Sequence, residues 1–150
     1  MKKQNIRFYF SLTVVLITIF LLVTGSPILS RPLYNSSTIP FGTIMTWVGI
    51  IALPLSIYSG NNNFRNPNTT FNKYLGNFLK VIILLAFLWV PISYLLAGNL
   101  SFSFTEKETF QGGHLAMKWF WRITYGIAIS PIVLIIIYWL SLLLKKRLHL

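Results

Sequence analysis

Four long stretches of the chain contain no charged residue. They lie between Arg7 and Arg31, Arg31 and Arg65, Lys80 and Glu106, and Arg122 and Lys145. The hydrocarbon core of a bilayer is about 30 Å thick, and a helix needs roughly 20 mostly apolar residues to cross it. Each stretch is long enough for one crossing, so the sequence predicts four transmembrane helices.

The composition excludes a water-soluble protein. Hydrophobic residues make up 55% of the chain and charged residues 10%, whereas about 25% of a soluble domain is charged. The net charge of +11 does not indicate a nucleic-acid partner, because the cations adjoin the apolar stretches, where lipid phosphates are the nearer anions. The absence of Cys excludes disulfides and thiolate catalysis.

The predicted fold class is an all-α integral membrane protein with one domain, in which four helices form an antiparallel bundle. The spans are expected at about residues 8–25, 41–59, 81–100 and 121–144, with no soluble domain. Lys2, Lys3 and Arg7 precede the first span, an arrangement that resembles a signal peptide. The apolar run is slightly long for a signal peptide and no clean cleavage site follows, so an uncleaved first span is expected.

A polar run at residues 59–68, SGNNNFRNPN, predicts a loop after the second span. The next residues show helical periodicity, with one apolar face formed by Phe71, Tyr74, Leu75, Phe78 and Leu79. One interpretation is a short helix over residues 70–80 that lies in the membrane interface and directs its lysines toward head groups. The alternative is that these residues extend the third span by three turns.

The distribution of cations predicts the orientation. Nine of the thirteen Lys and Arg residues belong to the N-terminal segment, the connection at 59–80 and the C-terminal tail. Loops rich in Lys and Arg remain in the cytoplasm, so both termini are expected there, facing anionic lipid head groups. Compact loops and frequent Lys, Asn and Ile favour a bacterial inner membrane.

The spans lack the groups that membrane chemistry requires. No ionisable residue lies inside them, which weighs against a proton-coupled transporter or pump, and no haem ligand, metal site or cofactor is expected. The only residues that suggest an enzymatic or metal site are Glu106, Glu108 and His114 in the second outer loop. A polar loop without catalytic function is the preferred interpretation, so the protein is not expected to be an enzyme.

Three prolines lie inside the predicted spans, at Pro54, Pro91 and Pro131. Proline removes a helix hydrogen bond and kinks the helix, which membranes tolerate when neighbouring groups satisfy the freed carbonyl. A nearby serine accompanies each proline, namely Ser56, Ser93 and Ser130. The kinks could shape a cavity, although proline is also ordinary in membrane helices.

Small residues mark two surfaces for close helix contact. Gly42 and Gly49 share one side of the second span, and Gly126 and Ser130 form a small-xxx-small pair in the fourth. Such pairs let helix backbones approach closely in lipid. The sequence leaves open whether the two surfaces meet each other or contact a partner chain.

The absence of catalytic groups favours a non-catalytic subunit or accessory factor of a larger membrane complex, which acts through helix–helix and loop contacts. The expected partners are therefore the bilayer and other membrane protein subunits. An alternative is a small homo-oligomeric transporter, channel or lipid-handling protein whose kinked spans line a path. A membrane enzyme that uses Glu106, Glu108 and His114 is the third hypothesis.

Overall fold

The computed structural model describes residues 2–34, 39–100 and 110–148. The protein is 84% helical, which confirms the all-α fold class, and the described ranges contain no strand beyond an isolated bridge between Pro32 and Pro40. The described residues form the α-helices α1 (Lys2–Val23), α2 (Phe41–Gly60), α3 (Asn62–Arg65), α4 (Thr70–Phe87), α5 (Trp89–Ala97) and α6 (Gly113–Leu148). A short 3-10 helix, Pro27–Ser30, lies between α1 and α2.

Three helices, α1, α2 and α6, are long and apolar enough to cross a membrane. The pair α4 and α5 meets the same criterion only when taken together, and its two helices are bent by 48° relative to each other. The described residues therefore contain three candidate spans, or four if the bent pair is one span. These helices indicate a multi-pass membrane protein.

The predicted interfacial helix at residues 70–80 is not a separate element. α4 runs without interruption from Thr70 to Phe87, and the Thr69 side chain caps its start by accepting the Asn72 N–H at 3.2 Å. Continuous helical periodicity explains this result, because no residue between 70 and 87 breaks the helix. The structure instead agrees with the alternative to the extent that residues 70–80 form the first turns of a helix that continues into the predicted third span.

The interruption lies farther along, inside the stretch predicted as one span over 81–100. α4 ends at Phe87, Leu88 separates the two helices, and α5 ends at Ala97 before Gly98, whose φ is 75°. Pro91 lies in the first turn of α5 and cannot donate a hydrogen bond to the carbonyl of Phe87, four residues earlier. A proline at this position favours the bend at Leu88.

The polar run at residues 59–68, which was predicted to be a loop, is partly helical in the structure. α2 continues to Gly60, and α3 follows at once, with the Asn61 side chain accepting the Asn63 N–H at 2.9 Å. Phe64 is only 2% exposed, and its ring contacts Tyr138 at a centroid distance of 5.0 Å. Burial of this one aromatic side chain holds the polar run against α6.

The helices pack in a chain of neighbours. α1 packs chiefly on α2, α2 on α4, and both α4 and α5 on α6. The core lies where the last three helices meet, around Trp89, Phe120, Leu79 and Phe110. Much of α1 presents large apolar side chains outward, as a lipid-facing helix does.

Three basic segments come together at one end of the protein. Gly60 at the end of α2 approaches the Phe8 ring so closely that a Cβ there would lie 2.7 Å from Phe8 Cδ2. Asn63 Nδ2 donates a hydrogen bond of 2.5 Å to the Tyr138 hydroxyl near the other end of the chain. The beginning of α1, the α2–α4 connection and the last turns of α6 therefore lie on the same side of the structure.

Candidate functional site

The bend between α4 and α5 is joined to α2 by a tryptophan hydrogen bond. The last carbonyls of a helix lack partners within that helix, and Trp47 Nε1 donates to the Ala86 carbonyl at 3.1 Å. The same carbonyl is also close to the Leu88 N–H, which caps α4. The indole N–H of Trp47 on α2 therefore provides a hydrogen bond for a backbone carbonyl at the bend.

A second tryptophan joins the bend to α6. Trp89 is 1% exposed, and its Nε1 donates to Thr124 Oγ1 at 2.9 Å. Thr124 in turn donates to the Phe120 carbonyl at 2.8 Å, and the Trp89 and Phe120 rings lie 5.7 Å apart. Both tryptophans lie inside predicted spans, and no contact of either was predicted from the sequence. The signal that could have found them is that an indole N–H inside a span needs a hydrogen-bond acceptor.

The three prolines occupy different surroundings. Pro54 and Pro131 are buried inside α2 and α6, both of which continue through them, whereas Pro91 is exposed at the start of α5. The neighbouring serines donate to other carbonyls of their own helices. Their acceptors are Leu53 for Ser56, Trp89 for Ser93 and Gly126 for Ser130. These carbonyls are not the ones that the prolines free.

The two glycines of α2 that were predicted to make helix contacts, Gly42 and Gly49, lie against other parts of the same chain. A Cβ at Gly49 would overlap the Thr18 side chain of α1, lying 2.9 Å from Thr18 Cβ. A Cβ at Gly42 would lie 2.8 Å from the Leu29 carbonyl oxygen. The small-residue surface of α2 therefore contacts α1 and the segment after it, and not the corresponding surface of α6.

The small-residue pair of α6 faces outward. Nothing lies within 4 Å of a Cβ built at Gly126, and the Ser130 hydroxyl bonds back to the Gly126 carbonyl. This pair forms the floor of an open cavity of about 400 Å³, which we call the α4/α6 groove. The residues that line it are Phe78, Tyr125, Gly126, Ile129, Ser130, Val133, Leu134 and Ile137.

The walls of the α4/α6 groove are apolar and come from two helices. Phe78, which is 54% exposed, stands on α4, and the other lining residues belong to α6. The sequence placed Phe78 on the apolar face at residues 70–80 without predicting that it would border Gly126. The groove contains no ionisable side chain other than the Tyr125 phenol, so it offers shape and apolar contact.

A second open cavity, of about 410 Å³, lies toward the Gly113 end of α6. We call it the basic site, and it is lined by His114, Met117, Lys118, Trp121, Arg122 and Tyr125. These residues share one face of the helix because they recur at intervals of three and four. Residues 115–122, LAMKWFWR, are basic and aromatic in composition, but composition does not predict a concave surface.

The predicted polar cluster is only partly within the described residues. Glu106 and Glu108 lie outside them, and His114 is exposed near the start of α6. The part of the chain that the structure describes contains no group of three His, Asp or Glu residues that could bind a metal ion. Whether the two acids approach His114 remains a prediction.

Comparisons with protein-family models, with curated proteins and with solved structures find no match for this chain. Inference about function therefore depends on the surfaces described above.

Proposed function

We propose that the protein is a non-catalytic subunit or accessory factor of a larger membrane complex. Its α4/α6 groove would receive a transmembrane helix of another protein. The observation that carries this proposal is the outward-facing pair Gly126 and Ser130, which the other helices of the chain leave uncovered.

The chemistry of the groove favours a helix as its occupant. Lipid tails are as apolar as leucine, so helices associate in a bilayer through close packing and small residues, without a hydrophobic driving force. Gly126 allows a backbone to approach, while Phe78 and Tyr125 border the floor. Because the Ser130 hydroxyl is already bonded to Gly126, the groove favours packing over polar ligand binding.

For the membrane arrangement we propose four crossings in an antiparallel bundle, with the bent pair α4 and α5 as the third. The end that gathers the three basic segments would face the cytoplasm, following the preference of Lys- and Arg-rich segments for that side. Lys73, Lys80 and Lys145 are exposed there, available to anionic head groups. A bacterial inner membrane suits this arrangement.

The proposal can be tested by photocrosslinking in native membranes. A benzoylphenylalanine at Ile129, in the groove, is compared with one at Leu142, on the opposite side of α6; the two side chains are 53% and 44% exposed. The expected result is a discrete protein adduct from position 129 that position 142 does not form. Gly126→Leu, which fills the groove, should abolish this adduct.

The adduct mass distinguishes the hypotheses. An adduct with twice the 17.3 kDa mass of the chain would identify a second copy and favour the homo-oligomeric alternative. Equal crosslinking from positions 129 and 142, or none at 129, would contradict docking in the groove.

A further inference from the structure

The basic site contains cations on one exposed helix face. His114, Lys118 and Arg122 are spaced four residues apart, which places neighbouring Cβ atoms about 6 Å from each other on a helix. All three side chains are exposed. Met117, Trp121 and Tyr125 supply the rest of the lining, so positive charge adjoins apolar surface.

The length of α6 places this site at head-group depth. α6 contains 36 residues and is therefore roughly 54 Å long at 1.5 Å per residue, well beyond the bilayer core of about 30 Å. The uncharged run at 123–144 measures about 33 Å as a helix and accounts for the core. Lys118 and Arg122 then lie immediately beyond it, where Trp119 and Trp121 are suited to the interface.

Lys118 and Arg122 are both exposed, and a contact with an aromatic ring restricts the Arg122 side chain. Arg122 lies over the Trp119 ring, with its guanidinium carbon 5.2 Å from the ring centroid, a cation–π arrangement that restricts the side chain. Glu106 and Glu108 are the two acids of the chain, and both lie outside the described residues, so no carboxylate of the described part neutralises Lys118 or Arg122. The complementary ligand is an anion that also has an apolar portion.

We propose that the basic site binds an anionic glycerophospholipid. Lys118 and Arg122 contact its phosphate, while Met117 and Trp121 contact the glycerol and the first acyl carbons. Arginine suits this role because its planar guanidinium can donate two parallel hydrogen bonds to phosphate oxygens. The site lies at the end of α6 opposite the three basic segments, so it is distinct from the general attraction of those segments to anionic lipid. The basic site shares Tyr125 with the α4/α6 groove, but Lys118 and Arg122, which carry the proposed phosphate contact, do not line that groove.

Native mass spectrometry of the full chain in detergent tests the proposal. The protein is mixed with equal amounts of phosphatidylglycerol and phosphatidylcholine, and the bound lipid is counted. A cation near an anionic membrane surface contributes about 1 kcal/mol, so the double variant Lys118→Gln/Arg122→Gln should reduce the preference for phosphatidylglycerol about 30-fold. The matched control is Arg31→Gln, which removes one positive charge at an exposed position outside the three basic segments. It should retain the preference that the single variant Arg122→Gln reduces.

Three outcomes would overturn the proposal. They are equal retention of the two lipids by the unmodified protein, an equal loss of preference in Arg31→Gln and Arg122→Gln, and displacement of the lipid by soluble glycerol 3-phosphate at equal concentration. The last result would identify a site for free phosphate. If the double variant does not fold, the single variants Lys118→Gln and Arg122→Gln should each reduce the preference about fivefold. Gly126→Leu should leave lipid selectivity unchanged, which separates this test from that of the proposed docking.

Discussion

Trp47 donates its indole N–H to the carbonyl oxygen of Ala86, 3.1 Å away and two residues before the bend between α4 and α5. The bond connects α2 to the backbone at the position where the helical hydrogen-bond pattern is interrupted. In a bilayer, exposed backbone carbonyls have no water to bind, so this contact specifies where the bent pair sits against α2.

Trp47→Phe should therefore destabilise the fold by about 1 kcal/mol, the usual net value of one hydrogen bond. The loss is limited because the Ala86 carbonyl also approaches the Leu88 N–H. Denaturant unfolding in mixed micelles, followed by circular dichroism, would measure the change. Trp139→Phe is the control, since Trp139 is 61% exposed; an equal loss there would show that the Ala86 contact is not responsible.

Trp89 and Thr124 should be energetically coupled. A double-mutant cycle with Trp89→Phe and Thr124→Val isolates their 2.9 Å hydrogen bond, and we expect a coupling energy of about 0.6–1.7 kcal/mol, as found for such bonds between membrane helices. Denaturant unfolding in mixed micelles measures the free energies of unfolding of the unmodified protein, the two single variants and the double variant. Strictly additive effects would mean that the bond contributes nothing to α5–α6 packing.

Substitution by alanine should destabilise the fold at Gly49 but not at Gly126. Gly49→Ala forces α1 and α2 apart because the new methyl overlaps Thr18, and overpacking of this kind costs about 1–3 kcal/mol. Gly126→Ala meets nothing within 4 Å and should be neutral or stabilise the helix by up to about 1 kcal/mol. Thermal unfolding of the two variants in one detergent provides the comparison.

Combining Gly49→Ala with Thr18→Ala provides a further check. Loss of the threonine hydroxyl and methyl should recover part of the stability, since those atoms form part of the overlap. A destabilised Gly126→Ala variant would instead indicate that the α6 face is already covered in the isolated protein.

Phe64 should anchor the connection between α2 and α4. Phe64→Ala removes a side chain that is 2% exposed, and truncation of a buried Phe costs about 3–5 kcal/mol. Limited proteolysis should then cleave near residues 61–68 at a much higher rate than in the unmodified protein. Phe71→Ala, at a position 42% exposed, is the control and should retain resistance; equal cleavage of both variants would contradict the anchoring role.

Prediction from the sequence succeeded where the chain contains a long run of uncharged residues. The uncharged stretches predicted helices that the structure contains, and the structure places Gly49, a predicted helix-packing residue, against Thr18. The prediction of a separate helix at 70–80 was wrong because local amphipathicity does not reveal where a helix ends. The position of the bend depends on Pro91 together with contacts from Trp47 and Trp89.

The candidate sites were also predictable from the sequence only in part. The pair Gly126 and Ser130 was visible as a motif, and the basic character of residues 115–122 was visible as composition. Neither pattern says whether neighbouring helices cover the surface. Phe78 borders Gly126 only because α4 packs beside α6, and residues 48 apart in the chain show no local sign of that contact.

What the sequence alone determined is the helical class and the candidate membrane segments, because the number of consecutive apolar residues sets what a helix can cross. The tertiary structure decided which small residues are buried and which remain open, with Gly49 against Thr18 and Gly126 facing outward. The physical reason is that apolar residues meet similar surroundings whether they contact lipid or another helix. Composition therefore cannot distinguish these environments, and only the packing of the helices does.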